Sequence, residues 1–114
     1  MEIKTDDYNI WYEPDASTIF FRGFLRLDGI EAYKPVMDLM LSALEQSSTR
    51  FTLNLGELEF LNSSGISMLS MFVVKVRQKG NVQMALQGSA KVLWQTKSLK
   101  NLQRLMPSLT LELA

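Results

Sequence analysis

The sequence contains no cysteine and no histidine. Without cysteine, the chain cannot form a disulfide or offer a thiolate to a metal. Without histidine, it lacks the commonest general base and the residue on which Ser-His-Asp triads and most zinc sites depend. A Gly-rich phosphate loop is also missing. An enzyme is therefore the least favoured class, and we expect no metal and no cofactor.

Neither sign of charge is in excess, and long hydrophobic runs are missing. Lys plus Arg and Asp plus Glu both number 12, so the formal net charge is zero. This argues against nucleic-acid binding through a general basic field but leaves room for a local basic patch. No apolar run approaches the ~20 residues that span a membrane, and the polar start of the chain does not resemble a signal peptide. We expect a cytoplasmic protein without membrane insertion or direct nucleic-acid contact.

What the sequence does contain predicts one α/β domain over residues 1–114. The length suits a single domain, and 46% hydrophobic with 21% charged residues is typical of globular proteins. Alternating or β-branched apolar segments predict strands at 8–13, 17–24, 51–55, 82–86 and 109–113. Helical spacing predicts helices between the later strands, over about 28–46, 63–80 and 89–106. The order ββαβαβαβ implies a mixed sheet with a parallel part.

Local signals refine these boundaries. Asp28 and Glu31 match a capping box, whereas Pro35 removes a backbone donor, so the first helix either begins at Pro35 or kinks there. Gly56 is expected to end the strand over 51–55, with Leu58 and Phe60 packing a short extended segment against the core. Ser89 is expected to cap the last helical region, with a break near 97–98.

The turn Asn62-Ser63-Ser64-Gly65 is the candidate switch. Asn62 or Ser63 can cap the following helix by accepting a hydrogen bond from its first turn. The free N–H groups and the dipole at a helix N-terminus attract anions, so a phosphate on an exposed serine there is tolerated. Phosphorylation adds about −1.5 to −2 charges and would change the adjoining surface sharply. The alternative is ordinary turn chemistry without function.

The helix behind this turn has two different faces. Steps of 100° place a core face at Ile66, Leu69, Phe72, Val73 and Val76. Met71 and Lys75 fall on the opposite face, with Met68 at its border. Exposed methionines suit an adaptable protein-binding surface, which predicts partner contact through Met68, Met71 and Lys75. The alternative is that another part of the protein covers them.

The stretch over 51–66, Phe-Thr-Leu-Asn-Leu-Gly-Glu-Leu-Glu-Phe-Leu-Asn-Ser-Ser-Gly-Ile, resembles the central stretch of STAS domains, the anti-sigma-factor-antagonist family. In that family a strand ending in Asp-Leu or Asn-Leu leads through Phe-(Met/Leu/Ile)-Asp-Ser-(Ser/Thr)-Gly-(Leu/Ile) into a helix. The order of elements matches over nearly the whole chain. The resemblance implies a STAS-like mixed sheet with helices mainly on one face. The segment Trp94–Pro107 is more elaborate than usual and suggests a distinct bacterial subgroup of STAS-like regulators.

The resemblance also implies partner switching. In the family, a partner serine kinase that often doubles as an anti-sigma factor phosphorylates the serine after the aspartate, which releases the partner and thereby regulates transcription. A metal-dependent serine phosphatase resets the protein. By motif position the acceptor is Ser63, with Ser64 as the secondary candidate and Asn62 and Gly65 as the flanking turn residues. We expect a monomer or weak dimer.

One position departs from the family pattern. Asn62 replaces the usual aspartate, which keeps the capping oxygen and loses the charge. This favours a second hypothesis, a constitutive STAS scaffold or transporter-accessory subunit without phosphorylation. A small-molecule or nucleotide-binding regulator is a third.

The sequence has two further charge clusters. Lys91, Lys97, Lys100 and Arg104, with Trp94 among them, could contact an acidic partner or an anionic ligand, but a solvated helix face with a core tryptophan is favoured. Glu57 and Glu59 have no catalytic residue beside them and are interpreted as exposed charges at a strand edge.

Overall fold

A mixed sheet of six strands runs through the residues that the structure, a computed structural model, describes, 1–47 and 49–114. The strands are β1 (Glu2–Lys4), β2 (Tyr8–Glu13), β3 (Thr18–Leu25), β4 (Arg50–Leu61), β5 (Gln83–Gly88) and β6 (Thr110–Leu113). Their order in the sheet follows their order in the chain. The pairs β1–β2 and β2–β3 are antiparallel, and the pairs from β3 to β6 are parallel. The predicted mixed sheet with a parallel part is confirmed.

The helices of the described residues form one layer on this sheet. They are α1 (Gly29–Ala32), α2 (Lys34–Gln46), α3 (Ser63–Lys79) and α4 (Leu93–Leu105). They connect β3 to β4, β4 to β5 and β5 to β6, three parallel steps in one direction. Since parallel crossovers are right-handed, steps in one direction place all of them on the same face. Burial agrees, because Phe51, Leu53 and Leu55 are fully buried while the residues between them are half-buried.

The structure departs in part from prediction at the start of the chain and at the first helix. Strand β1 was not predicted, because three residues with only Ile3 half-buried carry no periodic signal. Asp28 is the N-cap residue of α1 as predicted, but its side chain makes no cap hydrogen bond, so the capping box does not form. The alternative that the helix begins at Pro35 is close to the structure: a short α1 ends before Tyr33, and α2 begins at Lys34 with Pro35 in its first turn, where a missing N–H costs little.

Strand β4 does not end at Gly56 but continues to Leu61. Its pairing with β3 shifts register twice, and the Oδ1 atom of Asn54 accepts a hydrogen bond from the Gly56 N–H at 3.0 Å. The side chain therefore satisfies the backbone donor where the strand is irregular, and the strand continues. Leu58 packs in the core as predicted, but Phe60 is 40% exposed and does not.

The last helix begins later than predicted and is unbroken. It starts at Leu93 after Val92, and no break occurs at 97–98. Ser89 does not cap it; the Ser89 hydroxyl accepts from the Lys91 N–H at 3.2 Å in the preceding turn.

Candidate functional site

The 62–65 turn lies at the carboxyl edge of the parallel strands. β4 ends at Leu61 and α3 begins at Ser63, so only Asn62 separates them. The Asn62 N–H donates to the carbonyl of Leu25, the last residue of neighbouring β3, at 3.2 Å. In α/β sheets this edge is where ligand and partner sites concentrate, because loops and helix N-termini meet there.

Asn62 is the N-cap of α3. Its backbone is extended, with φ −79° and ψ 175°, and its Oδ1 atom accepts from the Gly65 N–H at 3.0 Å. The Asn62 carbonyl accepts from the Ile66 N–H at 3.0 Å, which starts the helix. The predicted capping role of Asn62 is thus present in the structure.

The Asn62 side chain also joins two distant segments. Its Nδ2 atom donates to the Leu27 carbonyl at 2.8 Å, and its Oδ1 atom accepts from the Tyr33 hydroxyl at 2.6 Å. The orientation of the amide is determined, since the Gly65 N–H can only donate and the Leu27 carbonyl can only accept. An aspartate could keep the two acceptor bonds but could not donate to Leu27 when ionised. We call Asn62, Tyr33 and the Leu27 carbonyl the Asn62 clamp.

Tyr33 is the buried member of this clamp. It is 1% exposed, and its hydroxyl also accepts from the Leu27 N–H at 3.4 Å. Burial raises the pKa of Tyr33 above its ordinary value of 10.0, the Leu27 hydrogen bond opposes this, and nearby Tyr8 adds to it. The hydroxyl therefore stays protonated at neutral pH and remains a donor to Asn62.

Gly65 is required by close packing. A Cβ atom there would lie 2.2 Å from Leu61 Cδ1 and 2.7 Å from Tyr33 Oη. Any larger residue would push apart the end of β4, the start of α3 and the clamp.

Ser63 and Ser64 differ in accessibility. Ser63 is exposed and Ser64 half-buried. Among residues 1–47 and 49–114, neither hydroxyl makes a hydrogen bond. Ser63, the first residue of α3, thus presents a free hydroxyl to solvent at the positive end of a 17-residue helix.

The exposed face of α3 continues from Ser63 at helical spacing. Met71 is 46% exposed and Lys75 is exposed, as predicted. Met68 is 2% exposed, so its predicted place on the partner-binding surface is wrong. Met68 lies on the side of α3 that packs against α1 and α2, and a residue at the border of a helical face is buried when a neighbouring helix covers it.

A shallow groove separates α3 from α1 and α2. Its volume is about 190 Å³. Its apolar lining consists of Ile30, Tyr33, Met37, Met68 and Met71. Pockets for small-molecule ligands usually measure about 300–1,000 Å³, so this groove suits one apolar side chain of a protein partner better than a nucleotide. Tyr33 belongs to both the groove and the Asn62 clamp.

Two residues at the start of α4 form hydrogen bonds to the backbone of β4. Gln95 is fully buried; its Oε1 atom accepts from the Ser89 N–H at 2.7 Å and its Nε2 atom donates to the carbonyls of Leu55 and Leu58. The half-buried Trp94 donates from Nε1 to the same Leu58 carbonyl at 3.0 Å. The sequence analysis did not identify Gln95 as a buried residue. Its helical spacing from Leu99 and Leu102 places it on the apolar face of α4, and a polar residue on that face indicates a buried hydrogen-bonding role.

Charge is strongly segregated along the chain. No Asp or Glu occurs from Phe60 to Leu111, a stretch that carries seven cations. They are Lys75, Arg77, Lys79, Lys91, Lys97, Lys100 and Arg104. All lie on or beside α3 and α4 and are exposed. The helix α4 therefore has a solvated basic face with a half-buried tryptophan beneath.

The two glutamates before the turn have no catalytic partner in the described part of the chain. Glu57 and Glu59 are exposed, and Glu57 lies 3.9 Å from Arg22 across the sheet surface. β4 is a central strand, so these charges are not at a sheet edge.

The described ranges 1–47 and 49–114 contain no cluster of His, Cys, Asp or Glu side chains that could hold a metal ion. Nor does any helix within those ranges combine the length and hydropathy needed to cross a bilayer.

Comparison with known proteins gives matches at the level of structure. No protein-family model and no curated protein sequence matches the chain. The crystal structure of the diguanylate cyclase SiaD in complex with its activator SiaC, from Pseudomonas aeruginosa, matches with a TM-score of 0.72 and 16% identity, covering 99% of this chain and 97% of the matched one. The apo-SiaC crystal structure from the same organism matches with a TM-score of 0.71 at 13% identity, covering 99% and 98%. A further SiaC structure gives 0.65 at 15% identity, covering 100% and 96%.

At these identities the likeness shows the fold. The element order, the mixed sheet and the near-complete coverage in both directions agree with the expectation drawn from the 51–66 motif. The chain therefore has a STAS-like fold, shared with SiaC over almost its whole length.

Proposed function

We propose that residues 1–114 form one STAS-like regulatory domain that binds a protein partner without catalysing a reaction and is switched by phosphorylation of Ser63. The observation that carries this proposal is the exposed, unbonded Ser63 hydroxyl at the start of α3, directly after the rigid Asn62 clamp. The likeness to SiaC, an activator in complex with a diguanylate cyclase, supports a protein-binding role.

Phosphate on Ser63 would change the surface without disturbing the fold. It adds about −1.5 to −2 charges at a helix N-terminus, where negative charge stabilises a protein by about 0.3–1 kcal/mol. No carboxylate follows Ser63 until Glu112, so the phosphate meets no like charge along α3 or α4. A partner that fits this surface closely would meet a new double charge at its centre.

The partner surface consists of the exposed α3 face and the adjoining groove. Met71 offers an adaptable apolar contact, and Lys75 offers a cation. They follow Ser67 on the same face of α3, one and two helical turns further along. Met71 also borders the groove whose lining includes Tyr33, so a side chain placed there would contact the residue that holds Asn62.

We propose a partner of the serine kinase or anti-sigma-factor type, with a metal-dependent serine phosphatase resetting the switch. A diguanylate cyclase is a second class of partner, favoured by SiaC being the activator of SiaD. The proposed setting is the cytoplasm, and the proposed state is a monomer or weak dimer.

The first test is phosphorylation. Wild type, Ser63→Ala and Ser64→Ala are incubated with the candidate kinase and ATP, and phosphopeptides are mapped. We expect label on Ser63 in wild type and Ser64→Ala, and its loss in Ser63→Ala. Label on neither serine would refute the switch.

The second test is partner binding by Ser63→Glu, measured by calorimetry. We expect affinity to fall about tenfold or more, because like-charge or desolvated contacts at an interface cost over about 1.4 kcal/mol. Ser108→Glu is the matched control. Ser108 is exposed just before β6, at the amino ends of the parallel strands, whereas Ser63 lies at their carboxyl ends. Equal affinity for Ser63→Glu and Ser108→Glu would contradict the mechanism.

A constitutive scaffold or transporter-accessory subunit is the second candidate function. The observation favouring it is the Asn62 clamp, which leaves no carboxylate next to Ser63. Partner capture that is indifferent to ATP and to phosphatase treatment would select this function over the switch.

A further inference from the structure

Large apolar side chains are exposed at the carboxyl edge of the sheet. Phe24 at the end of β3 is 41% exposed, Phe60 at the end of β4 is 40% exposed, and Leu93 at the start of α4 is 97% exposed. Their neighbours Leu25 and Leu61 are buried against the helix layer. The two phenylalanines therefore contribute little to the core, and their exposure needs another explanation.

Arg26 lies against both rings. Phe24 and Phe60 are register partners on adjacent strands, and the Arg26 guanidinium carbon lies 5.7 Å from the centroid of the first ring and 5.3 Å from the second. A guanidinium stacked on aromatic rings is held in one orientation and keeps its N–H edge free. Within the described part of the chain, Arg26 forms no ion pair. We call these three side chains the Phe24–Arg26–Phe60 cluster.

The cluster extends toward α4. Phe60 and Leu93 line one hollow together with Glu59 and Lys91, whose charges are opposite in sign. Among the described residues, the Arg26 guanidinium makes no salt bridge, so it can bind a carboxylate from a partner. Arginine and aromatic residues are the types that carry most binding energy at the centre of protein interfaces.

The cluster adjoins the candidate switch. The backbone N–H and the Nδ2 atom of Asn62 bond to the carbonyls of Leu25 and Leu27, the two residues on either side of Arg26. A partner contacting α3 can reach the cluster across this turn.

We propose that the Phe24–Arg26–Phe60 cluster binds an acidic segment of a protein partner. An Asp or Glu of the segment accepts from the Arg26 N–H edge in bidentate geometry, while apolar neighbours cover the exposed phenylalanine rings and Leu93. A nucleic acid fits less well, because Arg26 covers part of both ring faces and the chain has no net positive charge. The cluster needs no phosphate on Ser63, so this inference stands apart from the proposed switch.

The experiment is selection of displayed random peptides, about a dozen residues long, on the intact protein. We expect enriched peptides that place Asp or Glu beside apolar residues, binding wild type about tenfold or more tightly than Arg26→Gln. Arg26→Lys should rescue only partly, because an ammonium keeps the charge but not the planar stacking. Arg22→Gln is the matched control, because Arg22 is an exposed arginine of β3, the strand that ends just before Arg26, and it lies 3.9 Å from Glu57. The affinity of this variant for the peptides should equal that of wild type.

Three outcomes would overturn the proposal: no enrichment, enrichment without acidic residues, or equal binding by Arg26→Gln and Arg22→Gln. Tighter binding of an oligo-dT of similar length than of any selected peptide would also overturn it, in favour of a single-stranded nucleic-acid site. Circular dichroism should show all variants folded, because each changed side chain is exposed. Phe60→Ala, which leaves Arg26 unchanged, should weaken the binding of the same peptides.

Discussion

Replacing Asn62 by aspartate restores the residue usual before the acceptor serine in STAS domains, and the structure predicts that this change destabilises the protein. The introduced carboxylate can still accept from the Gly65 N–H and the Tyr33 hydroxyl. It cannot donate to the Leu27 carbonyl, which in the wild type lies 2.8 Å from the amide nitrogen. In the variant, an ionised oxygen would face that carbonyl oxygen instead.

The magnitude follows from opposing contributions. The Leu27 carbonyl is partly buried, so leaving it unpaired costs toward the lower end of the about 1–3 kcal/mol of a buried acceptor, and the oxygen–oxygen contact adds to that. A carboxylate at the helix N-terminus recovers about 0.3–1 kcal/mol. We expect Asn62→Asp to lower the free energy of unfolding by about 1–2 kcal/mol at pH 7. A protonated carboxyl can donate to Leu27, so the difference from wild type should shrink as the pH falls from about 7 toward 3.

The assay is urea denaturation followed by tryptophan fluorescence at several pH values. Asn54→Asp is the matched control: the Oδ1 atom of Asn54 caps the Gly56 N–H, and its amide nitrogen has no hydrogen-bond partner in the described residues, so an aspartate loses nothing. If Asn62→Asp is as stable as the wild type, and the difference in their free energies of unfolding does not change with pH, the clamp has no stabilising role.

Four other variants test the description of the core and the site. Tyr33→Phe should lower the free energy of unfolding by about 1–2 kcal/mol at neutral pH. Because burial raises the folded-state pKa of Tyr33, the stability of the wild type should be complete below about pH 10 and fall at higher pH. Urea titrations from about pH 7 to 11 should show a smaller fall in the variant. Gln95→Ala should cost about 3 kcal/mol, because the Ser89 N–H and the Leu55 carbonyl lose their Gln95 partner, while the Leu58 carbonyl keeps its hydrogen bond from Trp94. Exposed Gln78→Ala, the control, should change thermal stability little. Met68→Ala should cost about 2–5 kcal/mol as a cavity mutation. Met71→Ala should leave unfolding unchanged and weaken partner binding; the reverse pattern would show that the two methionines are wrongly assigned.

Much of the fold was predictable because its strands alternate in apolar character. Phe51, Leu53 and Leu55 show a period of two, and the motif from Asn62 to Gly65 follows directly, so the sequence located the turn and its capping residue. Gly56 misled because a glycine interrupts the local pattern, whereas the strand continues through a side-chain bond from Asn54 and pairing with β3.

The clamp was not predictable, because its members are far apart in the sequence. Tyr33 is 29 residues from Asn62, and Leu27 is 35 residues away. From the sequence alone, Asn62 is interpreted as a capping residue without the charge of the usual aspartate. The structure shows that the Asn62 amide also donates a hydrogen bond to the Leu27 carbonyl. Met68 was misplaced for a related reason: periodicity gives the direction of a side chain on a helix, but the helix that covers it comes from elsewhere in the chain.

The absence of carboxylates between Phe60 and Leu111 has a kinetic consequence. The net charge is zero, but seven cations lie on or beside α3 and α4, so the charge is unevenly distributed and the molecule has a dipole. A dipole orients an approaching partner rather than attracting it from far away, and salt at physiological strength limits that torque to about 8 Å. A phosphate on Ser63 would change the net charge from zero to about −2 at one end of this positive layer. The switch would then alter how often a partner arrives in the correct orientation, as well as how long it stays.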